Sequence, residues 1–372
     1  MSRHAIAADY VFDGLIRHRD CVVLIDNSRI AGLAPRSGLS PSIDLYEAPP
    51  GAWLAPGFID IQVNGGGDVL FNADRTPEGV AKIVEAHLKF GTTALLPTLI
   101  TDTDGVMIAA RNAVETMMAH DPGVLGLQLE GPFLSREKPG GHCRDVIRQP
   151  EPHHVRMLTK FVDGVLLVTL GPEQTPADFI VTLVAAGAKV ALGHSMATYA
   201  QTLAAMAQGA SSFTHLFSAM PPLSAREPGP VAAALESPDA FYGLIVDGEH
   251  VAPAMLKLAM QGADHPMLVS DAMRSVAGSS CEFALQGKRI TVRDGRYSTP
   301  KAHSLGHRLE WRQRSETAFD CWRCHWNEGY SSPSPNSPTS WAGTFFRPPR
   351  SGIPTGDNCF RSEKYCGFSI HG

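Results

Sequence analysis

From residue 56 onward, short apolar runs alternate with stretches whose apolar residues recur at helical spacing. The runs at 58–63, 92–96, 125–129, 165–169, 189–192, 211–214, 242–246 and 267–270 each end on a polar residue, a glycine or a proline, and they read as buried strands. Between them, 78–90, 104–119, 175–186, 198–208 and 253–260 place apolar residues three and four apart, the mark of amphipathic helices. Eight strand–helix units in succession predict an α/β fold, a (β/α)8 TIM-type barrel whose parallel strands present their C-terminal ends at one rim. Residues 1–54 differ. Short alternating runs such as Val22-Val23-Leu24-Ile25, followed by Asp26-Asn27, predict a few small strands, too few to close a core alone. The expected organisation is the N-terminal part of a small β-sandwich domain over 1–54, a catalytic barrel over 55–300 and an atypical tail over 301–372.

The predicted strand ends carry Gln62 and Asn64, Thr98, Glu130, Thr169, His194, His215, Asp247 and Asp271. Any one of these can be a hydrogen-bonded structural residue, but packing does not explain so many together. In the segment GLQLEGPFLSREKPGGH (126–142), an apolar run delivers Glu130 and breaks at once on Gly131-Pro132. A glutamate ending a buried strand needs a metal ion, an arginine or a proton beside it. Glu130, His194 and His215 together describe a mononuclear catalytic metal site with an open position, commonly zinc. Neutral imidazoles and one carboxylate leave a divalent ion net positive, able to bring the pKa of water to about 7. Asp271, across the rim, is the candidate proton acceptor; an aspartate there can also cap the helix that follows.

Nine stretches carry a family resemblance: PGFIDIQVNGGG (56–67), GTTALLPTLIT (91–101), LGLQLEGPF (125–133), GGHCRD (140–145), VTLGPE (168–173), ALGHSMATY (191–199), THLFSAMPPLSAREPG (214–229), GLIVDGEHVAP (243–253) and LVSDAM (268–273). In this order they resemble the N-acetylglucosamine-6-phosphate deacetylases of the amidohydrolase superfamily. The resemblance implies hydrolysis of N-acetyl-D-glucosamine 6-phosphate to D-glucosamine 6-phosphate and acetate, within amino-sugar catabolism or cell-wall sugar recycling. It implies metal ligation by Glu130, His194 and His215, with Asp271 as catalytic base. His142 would act on the acetamide, polarising its carbonyl, and Gly141, Ser218 and Ala219 would line the sugar. It also implies phosphate contacts at Arg226 and His250, and a homodimer. Arg226 suits a phosphate on its own chemistry, since guanidinium offers a rigid, permanently charged fork of donors. Many amidohydrolases hold a second ion with His-x-His after the first strand, where this chain has Gln62-Val63-Asn64. Neutral amides are poor transition-metal ligands, so one divalent ion per subunit is expected, zinc first, with iron or another divalent ion as alternatives. Ser218 stands where the family has asparagine; it reaches less far and leaves sugar preference open.

Composition changes the picture mainly at the C-terminal end. The whole chain has net charge −5 and pI ≈ 6.3, which gives no electrostatic footprint for nucleic acid. No stretch reads as a signal peptide or membrane span, so the expected setting is cytoplasmic. Near residue 300, however, acidic excess (31 Asp+Glu against 23 Lys+Arg) gives way to basic excess (6 against 9). Four of the seven cysteines and four of the five tryptophans lie beyond it. No amphipathic helix follows to close the barrel, and Ser331–Ser340 is a Ser/Pro run of disordered composition. Ala302-His303-Ser304-Leu305-Gly306 is what a coding sequence for the family's Gly-Thr-Leu-Ala-Gly loop yields one base out of register, so a frameshift near codon 300 is the expected origin of the tail. Cys321-Trp322-Arg323-Cys324-His325 matches the c-type haem pattern, but without an export signal it does not read as a haem site. The alternatives to an active deacetylase are a catalytically impaired product of such a frameshift and another amidohydrolase acting on an N-acyl substrate.

Overall fold

Eight parallel strands follow one another around a single sheet: β1 (Phe58–Val63), β2 (Thr92–Ile100), β3 (Gly126–Glu130), β4 (Val165–Leu170), β5 (Lys189–Leu192), β6 (Ser212–Phe213), β7 (Phe241–Leu244) and β8 (Pro266–Leu268). Each pairs with its sequence neighbour, as βα repetition requires. This computed structural model describes residues 3–27, 29–161, 164–176, 178–262, 265–293, 296–298, 311–312 and 368–371.

The seam between β8 and β1 closes just past the end of β8. Val63 forms a parallel bridge with Ala272, and the N–H groups of Asn64 and Gly65 donate to the Ala272 carbonyl at 2.8 and 2.9 Å. Where the ladder is missing, a side chain substitutes: the buried Asp60 carboxylate accepts the Ser270 N–H at 3.2 Å. Burial raises the pKa of that carboxyl. The seam therefore fixes the backbone on both sides of Asp271.

Among the described residues, seven α-helices run between the strands: α1 (Pro77–Leu88), α2 (Asp104–Met118), α3 (Pro152–Leu158), α4 (Phe179–Ala185), α5 (Tyr199–Ala207), α6 (Gly229–Glu236) and α7 (Pro253–Gly262). Local chemistry sets their starts. Thr76 caps α1, accepting from the Gly79 N–H, with Pro77 in the first turn, where its missing N–H costs nothing. Thr198 and Gln201 form a reciprocal capping box on α5. The inner faces, such as Val80, Ile83 and Val84 of α1, join strand residues including Leu95, Leu99, Leu127 and Leu129 in one core between sheet and helices. Periodicity does not single out α3 and α6, which are seven and eight residues long.

The N-terminal strands make two small sheets. Arg29–Pro35, Cys21–Asp26, Arg3–Ala7 and Asp44–Glu47 form one; Phe368–His371, Trp53–Pro56, Tyr10–Phe12 and Arg17–His18 form the other. Ile6, Val11, Val23, Ile25 and Leu54 pack between them. The chain's last strand thus pairs antiparallel with Trp53–Pro56, so the tail contributes to this region although its composition reads as irregular. The rest of 301–372, apart from Trp311–Arg312, lies outside the described residues, and so do the haem-like motif and the Ser/Pro run.

One element departs from the sequence expectation. After β8 comes an antiparallel meander, Glu282–Leu285, Lys288–Arg293 and Arg296–Ser298, joined by Trp311–Arg312. Phe283, Leu285, Ile290 and Tyr297 are buried against Leu70, Ile100 and Met273 from the barrel rim. The alternation of exposed Glu282 and Ala284 with buried Phe283 and Leu285 is a half-buried strand pattern. A rim that offers an apolar face, not a helical position, decides what becomes of it.

Candidate metal centre and its surroundings

Glu130, the last residue of β3, is 2% exposed. Its Oε1 lies 3.0 Å from His194 Nε2 and 2.9 Å from His215 Nε2, and the two Nε2 atoms are 3.0 Å apart. Three donors from three strand ends converge on one point. The Gln62 side-chain amide adds a contact, donating to Glu130 Oε1 at 3.4 Å.

The arrangement of protons makes these three atoms a candidate cation site. His194 Nδ1 donates to the Lys138 carbonyl at 2.7 Å, so a neutral His194 carries its only proton on Nδ1. Its Nε2 lone pair then faces a carboxylate oxygen at 3.0 Å, two acceptors against each other. A positive centre among the three atoms removes the conflict, and two imidazoles with one carboxylate are a donor set suited to a divalent ion of the zinc type. The contact with a backbone carbonyl is also how metal-binding histidines are commonly oriented. Gly140 makes that orientation possible. It sits at φ +52°, and a Cβ there would come within 3.0 Å of His194 Cε1.

The electrostatics agree. Burial pushes the Glu130 carboxyl up, but positive charge at the two ring Nε2 atoms, carried by a proton or by a bound cation, holds it well below the usual carboxylate range. Burial lowers the His215 imidazole, and the Glu130 carboxylate more than offsets this, leaving it raised.

Around this centre stand the other chemical groups. His142 is buried, its Nε2 4.0 Å from Glu130 Oε1, and its ring sits edge-on to His194 at 4.4 Å. His142 Nδ1 lies 3.3 Å from the Thr101 N–H and 2.7 Å from the Thr101 hydroxyl; with both donating to it, the ring proton is on Nε2, facing the centre. Burial, then the neighbouring His194, pushes its pKa down to about 3, so it is a neutral donor at physiological pH. Asp271 accepts from Asn64 Nδ2 at 2.6 Å. Burial, then the Glu130 charge, pushes its carboxyl up to about 7, where it can take and return a proton. His194, His215, Ala219 and Asp271 all adopt positive φ, between +31° and +51°, a conformation that non-glycine residues hold at a cost and that clusters at functional sites.

Beneath lies a polar layer. Thr98 Oγ1 donates to Gln128 Oε1 at 2.8 Å, Gln128 Nε2 to Thr169 Oγ1 at 3.4 Å, and the Thr169 and Thr214 hydroxyls meet at 2.7 Å. Thr98 and Thr169 are therefore spacers below the site. Asp247 accepts the N–H groups of Glu249 and His250 and pairs with His250 Nδ1 at 2.6 Å. His250 is thus oriented by Asp247, whose carboxyl is held low despite burial. Ser218 donates its N–H to the His215 carbonyl, and the Ala219 carbonyl accepts from Ser195, so both brace the histidine loops. Gly141 adjoins His142 and is half-buried, whereas Arg226 is exposed on the segment after them.

Two residues escaped sequence reasoning. Gln286, at the tip of the rim meander with φ +47°, accepts the Cys143 N–H at 2.6 Å and donates to the Thr101 carbonyl. It ties together the two segments that hold His142. Thr101 is visible in the sequence only as part of a matching stretch. Neither role has a local signal, because each partner lies about 40 or more positions away.

A second cluster, Asp104, His153 and His154, does not suit a metal. The Glu151 N–H donates to His154 Nδ1 at 2.7 Å, which puts the ring proton on Nε2, the atom facing Asp104. Arg148 already occupies the same carboxylate. This is an ion-pair network at the start of α2.

The comparisons agree with this geometry. The amidohydrolase family matches residues 53–298, ending close to where the composition changes. The chain is 40% identical over 280 residues to an N-acetylgalactosamine-6-phosphate deacetylase of Shewanella sp. (strain ANA-3), covering 74% of this chain and 71% of that one. It is 36% identical over 284 residues to the N-acetylglucosamine-6-phosphate deacetylase of Haemophilus influenzae, covering 75% and 74%. The N-acetylglucosamine-6-phosphate deacetylase structure from Pasteurella multocida superposes with a TM-score of 0.78 at 33% identity, over 82% of this chain and 81% of that one. A Mycobacterium smegmatis N-acetyl-D-glucosamine-6-phosphate deacetylase in complex with N-acetyl-D-glucosamine-6-phosphate gives 0.75 at 31% identity, over 83% and 81%. A barrel with carboxylate and imidazoles converging at its C-terminal rim, and kinship of this extent on both measures, place the chain in the amidohydrolase family.

Proposed function

We propose that this chain removes the acetyl group from N-acetylglucosamine 6-phosphate, giving glucosamine 6-phosphate and acetate, with one divalent ion per subunit held by Glu130, His194 and His215. The observation that carries the reading is the bare His194 Nε2 facing Glu130, flanked by a neutral donor and a carboxyl poised near neutrality. A bound divalent ion, zinc by its donor set, supplies polarisation of the acyl oxygen and acidification of water. Asp271 takes the proton of the attacking water. His142 donates Nε2–H to the acyl oxygen as it gains charge. Asp271 passes the proton to the nitrogen, the C–N bond breaks, and the amine and acetate leave.

Arg226 and His250 supply the phosphate contacts in this reading, and Gly141, Ser218 and Ala219 adjoin the sugar. Exposure of Arg226 within one chain is compatible with a homodimer in which sites draw on both subunits. Among the described residues no helix is long and apolar enough to cross a membrane, and we assign the enzyme to the cytoplasm. The first test is acetate release from the phosphorylated sugar by purified protein, with and without Zn²⁺. Soluble, zinc-loaded protein that releases no acetate would favour the impaired, frameshifted alternative, which DNA resequencing past codon 300 examines directly.

A second reading has its own support. The Shewanella relative is named for the galactosamine epimer, and Ser218 replaces the family's asparagine. The ratio of kcat/KM on the two epimeric 6-phosphates decides between them.

A further inference from the structure

Asn64 does more than leave a second metal position without a strong ligand. Its position says more. It is 2% exposed and locked in the barrel seam: its N–H donates to Ala272 and its carbonyl accepts from Phe71. The side-chain Nδ2 donates to Asp271 Oδ1 at 2.6 Å. With Asp271 in its basic form, that contact fixes which end of the amide is nitrogen, because the opposite orientation would set oxygen against a carboxylate.

With Nδ2 so committed, Oδ1 is buried with no hydrogen-bond partner. A buried acceptor left unmatched forfeits its hydration, and rotating the amide would forfeit the charge-assisted bond to Asp271. Because both atoms belong to one planar amide, the orphan acceptor lies beside the carboxylate. A secondary amide substrate carries one acceptor, its carbonyl oxygen, and one donor, its N–H. His142 Nε2–H serves the first. For the second, Gln62 turns its own donor toward Glu130, Glu130 Oε1 is engaged by the histidines, and Asp271 must receive a proton from water.

We propose that Asn64 is a substrate-contacting residue: its Oδ1 receives the amide N–H of the substrate while its Nδ2 holds Asp271 in place. As the acyl carbon becomes tetrahedral, the nitrogen develops a lone pair on the face away from the acyl oxygen. Anchoring its N–H on Oδ1 turns that lone pair toward the proton held on Asp271, so protonation and C–N cleavage coincide. An amide offers a donor and an acceptor side by side on one planar group; a carboxylate at this position would repel Asp271.

This rests on the deacetylase reading, and the experiment separates the two. kcat/KM is measured for the 2-acetamido sugar phosphate and for the 2-O-acetyl analogue, which has no N–H, with wild type, Asn64→Leu and Asn64→Ala. Folding and metal content are checked in each. Losing the Asp271 contact affects both substrates, whereas losing the acceptor affects only the amide. The expected result is a loss of about 10²-fold or more on the amide, at least about tenfold greater than on the ester. Equal losses, or none, overturn the proposal. If wild type hydrolyses neither substrate, the deacetylase reading fails. The Asn64 contact is then read by proton NMR of the bound ¹⁵N-acetamido sugar phosphate: a downfield N–H shift in wild type, absent in both variants, supports it, and no shift overturns it.

Discussion

Replacing His142 by phenylalanine distinguishes a neutral donor from a charged acid in this site. The ring is buried, with a pKa of about 3 set by burial and by His194, and the Thr101 N–H and hydroxyl both face Nδ1. At pH 7 about one ring in 10⁴ is protonated, so acting as imidazolium would cost about 5 kcal/mol at about 1.36 kcal/mol per pKa unit. A preorganised neutral donor to a developing oxyanion contributes about 2.7–4 kcal/mol, or about 10²–10³ in kcat. The cost of charging exceeds that return, and a divalent ion nearby would enlarge it. The His142→Phe variant is therefore expected to lower kcat by about 10²–10³ while leaving the shape of the pH profile between about 5.5 and 9 unchanged. Steady-state acetate release over that range is the assay. A parallel melting curve registers the Thr101 N–H left unpaired, worth about 1–3 kcal/mol. Disappearance of a pH limb in the variant, or a kcat within about tenfold of wild type, would refute the neutral-donor argument.

Three further outcomes are expected. Metal-stripped protein reloaded with zinc should bind one tight equivalent by elemental analysis, and His194→Ala should bind none; two tight equivalents in wild type would contradict the role assigned to Gln62 and Asn64. For Asp271, the raised pKa means the basic form is lost on acidification. kcat/KM should fall about tenfold per unit below a midpoint no higher than about 7, since a bound cation favours the carboxylate, and Asp271→Asn should abolish turnover while retaining zinc. Gly140→Ala places a Cβ 3.0 Å from His194 Cε1 at φ +52°, and is expected to weaken zinc about 10–100-fold by titration against a chromophoric chelator, with little effect on far-UV circular dichroism.

The strand–helix alternation was legible because a barrel strand is buried on both faces and a barrel helix on one, which imposes two different local periods. Glu130 was legible for a related reason: a carboxylate closing an apolar run is costly wherever the fold places it. The rim meander was harder. Its alternation was present in Phe283 and Leu285, but whether such a strand belongs to the barrel or lies over it depends on Leu70, Ile100 and Met273, which are remote in sequence. Gln286 and Asp60 were harder still, since their partners are backbone atoms from distant segments, and backbone groups leave no trace in residue identity.

The sequence by itself determined the residue types that meet at the rim, the order in which strands bring them there, and the absence of a His-x-His pair for a second ion. It did so because periodicity and strand-end chemistry are local properties. Only the tertiary structure decided their partners and their setting: that His194 Nδ1 meets a backbone carbonyl and His142 Nδ1 meets Thr101, how far burial raises Asp271, and that Asn64 keeps one acceptor unmatched. Those properties depend on distances of about 3 Å between residues tens to hundreds of positions apart, and on the exclusion of water, which closure of the barrel alone creates.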